Sequence, residues 1–143
     1  MVVRRASARW DGDLRRGQGT MRFGSGAFEG AYTFASRFES GTGTNPEELI
    51  GAAQAGCFSM ALSAELAKAG FSPQHITTEA RVHLDQADGG HRITRIDLIT
   101  SAVVPDIDEA RFAEIADLAK EGCPVSQALS GVKRMLEAKL ERG

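Results

Sequence analysis

Residues 41–65 have the sequence GTGTNPEELIGAAQAGCFSMALSAE and contain the strongest helix signals in the chain. Asn45 is a good N-cap residue, because its side-chain oxygen can accept a hydrogen bond from a free backbone N–H of the first turn. Pro46 suits the first helical position, where no N–H is needed. Glu48 follows the cap by three residues, as in a capping box, and its charge and that of Glu47 favour the positive end of the helix dipole. The sequence therefore predicts that a helix begins at Pro46.

The predicted helix is uncharged from residue 49 to residue 64. Within this part only three side chains carry a strong hydrogen-bonding group: Gln54, Ser59 and Ser63. A helix that is apolar on all sides is usually buried on all sides. Gly70 ends it, so residues 46–69 would be about 36 Å long at ~1.5 Å per residue. One small domain would not easily cover such a helix, and its small and polar residues make it a poor membrane span.

The composition predicts an ordinary soluble domain. The chain has 143 residues, 42% of them hydrophobic and 25% charged, with a formal net charge of −2. This length suits a single domain over residues 1–143, and a protein that binds nucleic acid would be strongly basic. The first residues are polar and charged, without the apolar core of a signal peptide, so we expect a cytoplasmic protein. Its two cysteines would then be reduced or would cycle during catalysis.

The remaining segments predict an α+β fold with an antiparallel sheet. Arg37 would lie at the end of the third strand. A second helix is expected over residues 107–121, with Asp106 and Glu109 as a capping box. Residues 132–140 fit a helix or a strand equally well. Alternation of apolar and polar residues predicts strands over residues 3–10, 14–23, 31–38, 78–84 and 96–104.

Cys57 lies in the middle of the uncharged helix. A thiol in such a position is most often a small hydrophobic side chain without reactivity. A reactive Cys57 would need a thiolate, and it lies too far inside the helix for the N-terminal dipole to help. The permanent charge of Arg37 could supply that help, and Glu47 could pair with the guanidinium. From the residues alone, Arg37 could equally be a solvated strand end and Glu47 a simple first-turn acid.

Cys123 precedes Pro124 at the predicted N-cap of a short helix, where free amides favour a thiolate. Electrostatics alone would therefore make Cys123 the more acidic thiol. It lies 66 positions after Cys57, and the sequence leaves open whether the two meet. A zinc site is a poor fit, because no histidine stands at ligand spacing from either cysteine. A hydrolase using His83 and Asp85 is also a weak fit, since both would lie on an exposed strand face.

Three motifs give the chain a resemblance to a known family. They are ARWDGDLRRGQGT near the start, SRFESGTGTNPEELIGAAQAGCFSMALS around the first cysteine, and GCPVSQAL around the second. Together they resemble the OsmC family of osmotically inducible hydroperoxide reductases, and the similarity extends over almost the whole chain. Arg37 stands just before the helix, as in the OsmC branch. In the sister Ohr branch the arginine comes earlier in the chain.

The resemblance implies a peroxidase that uses thiols and no metal or other cofactor. Cys57 would be the attacking, peroxidatic cysteine and Cys123 the resolving one, while Arg37 and Glu47 would activate Cys57. The family fold is an intertwined homodimer in which antiparallel sheets from both chains wrap two long central helices. The implied partners are an organic hydroperoxide and an external dithiol reductant, such as a lipoylated protein, with no nucleic acid or membrane.

Two points limit the resemblance. The family's last segment alternates as a strand, whereas VKRMLEAKLERG at residues 132–143 is rich in lysine, glutamate and leucine. The same fold could also serve a binding or structural protein in which Cys57 is only a packed core thiol. Hydrophobic residues near the reactive cysteine would favour organic peroxides over hydrogen peroxide. The candidates for such residues are Phe38, Phe58 and Met60.

Overall fold

The computed structural model describes residues 1–142. The chain divides into two compact units, residues 1–49 and the remainder from Ile50 onward. Within residues 1–142, two small sheets and four helices make up an α+β fold, which agrees with the predicted class. The expectation of a single domain stays a prediction.

The first unit contains an antiparallel sheet of three strands in the order β1-β2-β3, followed by a short helix, α1. The first two strands are confirmed, but the third ends before Arg37, so the strand predicted for residues 31–38 is wrong. Thr33 caps α1: its hydroxyl accepts from the Ser36 amide at 3.1 Å, and Ser36 Oγ accepts from the Thr33 amide at 2.8 Å. This reciprocal capping box overrides the alternating pattern. The bounds are β1 Ala6–Asp11, β2 Gln18–Phe23, β3 Glu29–Tyr32 and α1 Phe34–Phe38.

The long helix, α2, is confirmed over Pro46–Lys68. The Asn45 side-chain oxygen accepts from the Glu48 amide at 2.7 Å, as the sequence predicts for an N-cap. The Glu48 carboxylate instead accepts from the Thr44 hydroxyl at 2.7 Å. After the last turn, Gly70 adopts a positive φ of 93°, which favours glycine.

Only one face of α2 is buried within the single chain, so the expected burial on every side would need a second chain and stays a prediction. Helical spacing separates a buried stripe, Gly51, Gln54, Phe58, Leu62 and Leu66, from an exposed stripe, Ala52, Ala53, Gly56, Met60, Ala64 and Ala67. By length and hydropathy alone α2 could cross a membrane, since its mean hydropathy reaches 1.3. The core helices of soluble proteins also satisfy that test.

The second unit is built on a sheet in the order β4-β5-β6. β4 and β5 form a long antiparallel hairpin, but β6 pairs with β5 in parallel, so the prediction of a purely antiparallel sheet is wrong here. Parallel neighbours in a sheet need a crossover connection. Here the helices α3 and α4 connect β5 to β6. The bounds are β4 His75–Ala87, β5 Gly90–Val103, α3 Glu109–Gly122, α4 Pro124–Ala128 and β6 Lys133–Glu141.

The ambiguous last segment is thus a strand, in which Leu136, Ala138 and Leu140 alternate inward. The second helix is confirmed, but Asp108 is its N-cap, accepting from the Arg111 amide at 2.7 Å. Asp106 lies outside the helix at a positive φ of 70°. The buried stripe of α2 packs with β5 and α3 to form the core of the second unit. The largest buried side chains of this core are Phe58, Leu62, Leu66, Ile96, Leu98, Phe112 and Ile115.

Candidate active site

Arg37 and Glu47 form a bidentate ion pair in the first unit. Arg37 Nε and Nη2 donate to the two Glu47 carboxylate oxygens at 2.9 and 3.0 Å. Glu47 lies in the first turn of α2 and is only 7% exposed, whereas 36% of the Arg37 side chain is accessible. A guanidinium held on one edge by a buried carboxylate has a fixed orientation and still presents donors on its other side. The predicted pairing of these residues is confirmed.

A cleft of about 430 Å³ adjoins Arg37 within the first unit. Aromatic rings dominate its walls: Trp10 and Tyr32 lie 5.2 Å apart, and Phe34 and Phe38 lie 4.9 Å apart. The Arg37 guanidinium stands 5.1 Å from the centre of the Phe38 ring. The cleft therefore combines apolar walls with the positive charge of Arg37, which suits a small ligand that has an apolar part and a polar end.

Cys57 and Cys123 are both free thiols of the second unit. Cys57 is half-buried, and Cys123 is fully buried at the N-cap of α4, as predicted. Although 66 positions separate them, each sulfur shifts the pKa of the other, so the fold brings the two thiols together. This answers the question that the sequence left open.

Polar groups of Gln54 and Ser126 surround the Cys123 sulfur inside the core. The Gln54 amide nitrogen lies 3.5 Å from Cys123 Sγ and 2.9 Å from Ser126 Oγ. Ser126 approaches the same sulfur with its backbone amide at 3.3 Å and its hydroxyl at 3.2 Å. Gln54 and Ser126 are both fully buried. Sequence reasoning did not single out either residue as functional, although a lone amide in an uncharged helix was a signal that could have found Gln54.

The two thiols have pKa values shifted in opposite directions. Burial raises the pKa of Cys57; the Val125 amide opposes this, and interactions with Cys123 reinforce it. Burial also acts to raise the pKa of Cys123, but hydrogen bonds from the Ser126 hydroxyl and amide outweigh it, with help from Cys57 and Val125. The pKa of Cys123 therefore lies below its ordinary value. Within this unit the electrostatic expectation of a more acidic Cys123 holds.

The weaker candidates do not assemble into a catalytic centre. His83 Nε2 lies 2.8 Å from Asp97, not beside Asp85, and Asp85 accepts from Thr94 instead. Within residues 1–142 no group of three histidine, cysteine or carboxylate side chains is placed to hold a metal ion. Of the hydrophobic neighbours, Phe58 is wholly inside the core and Met60 is 77% exposed, so only Phe38 lines the aromatic cleft.

Comparison with known proteins decides the family. The family model of the OsmC-like protein matches residues 39–136, which include α2 with Cys57 and the segment around Cys123. The chain belongs to the OsmC-like protein family. It is 52% identical over 129 residues to Peroxiredoxin OsmC of Escherichia coli, covering 90% of each chain.

Solved structures of the family share the fold. The organic hydroperoxide resistance protein OhrB of Bacillus subtilis superposes with a TM-score of 0.68 at 25% identity, covering 96% of this chain and 98% of that one. An OsmC-like protein of unknown function from Vibrio cholerae gives a TM-score of 0.75 at 17% identity, covering 96% and 99%. The resemblance found in the sequence motifs is therefore confirmed at the level of family and fold.

Proposed function

We propose that this protein is a thiol peroxidase that reduces organic hydroperoxides, and hydrogen peroxide less efficiently, through Cys57 and Cys123. The observation that carries the proposal is the meeting of two free thiols, 66 positions apart, in a member of the OsmC-like family. The 52% identical relative is named a peroxiredoxin, and the Bacillus subtilis relative is named for resistance to organic hydroperoxides. Two adjacent thiols supply what a peroxidase without a metal needs: one sulfur to take the oxygen and one to remove it.

In the first step the Cys57 thiolate attacks the terminal oxygen of the peroxide. The S–O bond forms as the O–O bond breaks, and the alkoxide leaves and takes a proton to become the alcohol. Cys57 is then a sulfenic acid, oxidised by two electrons. Arg37 stabilises the thiolate and the charge that develops on the peroxide oxygens, and Glu47 orients the guanidinium. The bidentate Arg37–Glu47 pair, in which the carboxylate is buried and the guanidinium is partly exposed, supports this role.

In the second step Cys123 attacks the sulfenic sulfur of Cys57. The S–S bond forms, the S–O bond breaks, and the oxygen leaves as water. An external dithiol, such as a lipoylated protein, then reduces the disulfide by thiol–disulfide exchange and restores both thiols. The proximity of the two sulfurs in the reduced chain supports an intramolecular disulfide.

The aromatic cleft beside Arg37 is the proposed site for the organic part of the substrate. Its walls are Trp10, Tyr32, Phe34 and Phe38, with Arg37 at one side. An alkyl or aryl group gains free energy by leaving water for such walls, whereas hydrogen peroxide has no apolar part to bury. The cleft therefore supports a preference for organic hydroperoxides.

The working unit is proposed to be a cytoplasmic homodimer of one OsmC-like domain per chain. The exposed stripe of α2 supports this assembly, because it is uncharged and made of small residues around Met60. A side chain at Gly56 would contact nothing within 4 Å, so that face is open. Two such helices can pack closely against each other, and burying exposed methyl and methylene groups stabilises the dimer.

One equivalent of cumene hydroperoxide added to the reduced protein tests the proposal. We expect both free thiols of each chain to disappear and an intramolecular disulfide to form, because the second thiol consumes the product of the first. Thiol counting and intact mass measure this directly. If both thiols remain, the chain is a binding or structural protein with the same fold.

A further inference from the structure

Gln54 is a fully buried amide on the inner stripe of α2, between apolar neighbours. Buried polar groups in proteins are nearly always hydrogen-bonded, because an unpaired one is costly. The Gln54 nitrogen has two partners, Ser126 Oγ and Cys123 Sγ. Its carbonyl oxygen has no partner among residues 1–142. An apolar side chain would fill this position more cheaply, so packing does not explain the amide.

The direction of these hydrogen bonds follows from the chemistry of the groups. An amide nitrogen can only donate, so Gln54 occupies an acceptor site on Ser126 Oγ at 2.9 Å. This leaves the Ser126 hydroxyl hydrogen free. When Cys123 is a thiol, its S–H can point to Ser126 Oγ at 3.2 Å; once Cys123 is a thiolate, the hydroxyl donates to the sulfur instead.

Three donors then converge on one sulfur: the Gln54 amide, the Ser126 hydroxyl and the Ser126 backbone N–H. Donors of this kind favour the charged form of an acceptor. The Ser126 carbonyl in turn accepts from Arg134 on β6, which fixes α4 against the sheet. The arrangement is preorganised around Cys123 and is built from α2, α4 and β6, all within the second unit.

We infer that Gln54 and Ser126 are positioning residues that hold Cys123 as the nucleophile for disulfide formation. The inference rests on the roles proposed above for the two cysteines. The Cys123 thiolate attacks Cys57 Sγ, the S–O bond of the sulfenic acid breaks, and the departing hydroxide takes up the proton that Cys123 released. No additional oxidant or reductant enters this step. Loss of these donors should therefore slow disulfide formation, and the rate at which the peroxide oxidises Cys57 should stay unchanged.

The test uses Gln54→Met, which has a similar volume and no donor, and Gln54→Glu, which keeps the shape but offers acceptors. Ser126→Ala removes the hydroxyl from another element and decides the question if the α2 variants fail to fold. Ser59→Ala is the matched control, because it removes a hydrogen bond from the same helix, to Thr78 at 2.7 Å, away from Cys123. Each protein receives one equivalent of cumene hydroperoxide, and the rate of disulfide formation is followed against pH.

We expect disulfide formation at neutral pH to be about tenfold slower in Gln54→Met, with the midpoint of its pH profile about one unit higher. The rates should converge at high pH, where Cys123 is ionised in every variant. Ser59→Ala should follow the unmodified protein. A purely structural effect would instead lower the rate at every pH without moving the midpoint, and that result overturns the inference.

A second measurement does not depend on turnover. In a Cys57→Ser background the ultraviolet absorbance of the Cys123 thiolate is titrated with and without Gln54→Met, and we expect a midpoint about one unit higher in the double variant. If the hydroperoxide leaves both thiols of the unmodified protein intact, the proposed function fails, and this titration alone decides the role of Gln54. An unmoved midpoint overturns the inference in either case.

Discussion

Replacement of Arg37 by alanine tests how Cys57 becomes a thiolate. An ordinary thiol has a pKa of about 8.5, so about 3% is ionised at pH 7. Burial raises the pKa of Cys57, and interactions with Cys123 raise it further. To bring this pKa near 7, another group must supply at least ~2 kcal/mol, since one pKa unit corresponds to about 1.4 kcal/mol.

A single positive charge is sufficient. At an effective dielectric constant of about 20, a unit charge contributes ~4 kcal/mol at about 4 Å and half of that at about 8 Å. The Glu47 carboxylate, 2.9 and 3.0 Å from the Arg37 nitrogens, opposes part of such a contribution, so the proposed role requires the guanidinium to lie nearer the sulfur than the carboxylate does. We expect Arg37→Ala to raise the Cys57 pKa by more than one unit, and peroxidase turnover to fall further than the thiolate fraction, because in the proposed mechanism Arg37 also stabilises the transition state.

The assay is the pH dependence of Cys57 alkylation in a Cys123→Ser background, with and without Arg37→Ala. Arg9→Ala is the control, because Arg9 lies in the same unit but pairs with Asp11 on the surface, with 82% of its side chain exposed. Its titration should match that of the parent protein. Superimposed curves for the parent and Arg37→Ala would show that Arg37 is not the cation that stabilises the Cys57 thiolate.

Three further predictions concern the same pair and the open helix face. Glu47→Gln should shift the Cys57 pKa in the same assay by less than Arg37→Ala does, because loss of the carboxylate charge favours the thiolate while loss of the anchor of the guanidinium disfavours it; an equal or larger shift would contradict this order. Arg37→Lys should restore little turnover, since an ammonium cannot face Glu47 and the peroxide with a planar fork; turnover near that of the unmodified protein would count against it. Met60→Glu should convert a dimer into monomers in sedimentation, while Leu118→Glu on the exposed side of α3 should not; a dimer that survives Met60→Glu would exclude α2 as the interface.

The sequence predicted the long helices better than the short helix and the strands around them. The cap at Asn45 and the uncharged run after it defined α2 almost to the residue, because these signals are local. The segment with Arg37 was predicted as a strand from its alternating residues, and the Thr33–Ser36 capping box that forms α1 was not anticipated. The last segment could not be assigned, because β6 depends on pairing with β5, far away in the chain.

The candidate site was predictable in its residue types but not in its arrangement. The caps and motifs identified both cysteines, and the N-cap position of Cys123 predicted the direction of its pKa shift. The contact between the thiols could not be derived, since it depends on packing between α2 and α4. Gln54 was visible as a lone amide, but only the fold shows that it reaches Ser126 and Cys123.

In the proposed mechanism Cys57, not Cys123, attacks the peroxide, although Cys123 has the lowered pKa. The most direct test is to treat Cys57→Ser and Cys123→Ser separately with one equivalent of cumene hydroperoxide and a probe selective for sulfenic acid. We expect Cys123→Ser to react once, to carry the probe on Cys57 and to stop, whereas Cys57→Ser should remain unlabelled and inactive. A probe found on Cys123 in Cys57→Ser would reverse the two roles and contradict the proposed mechanism.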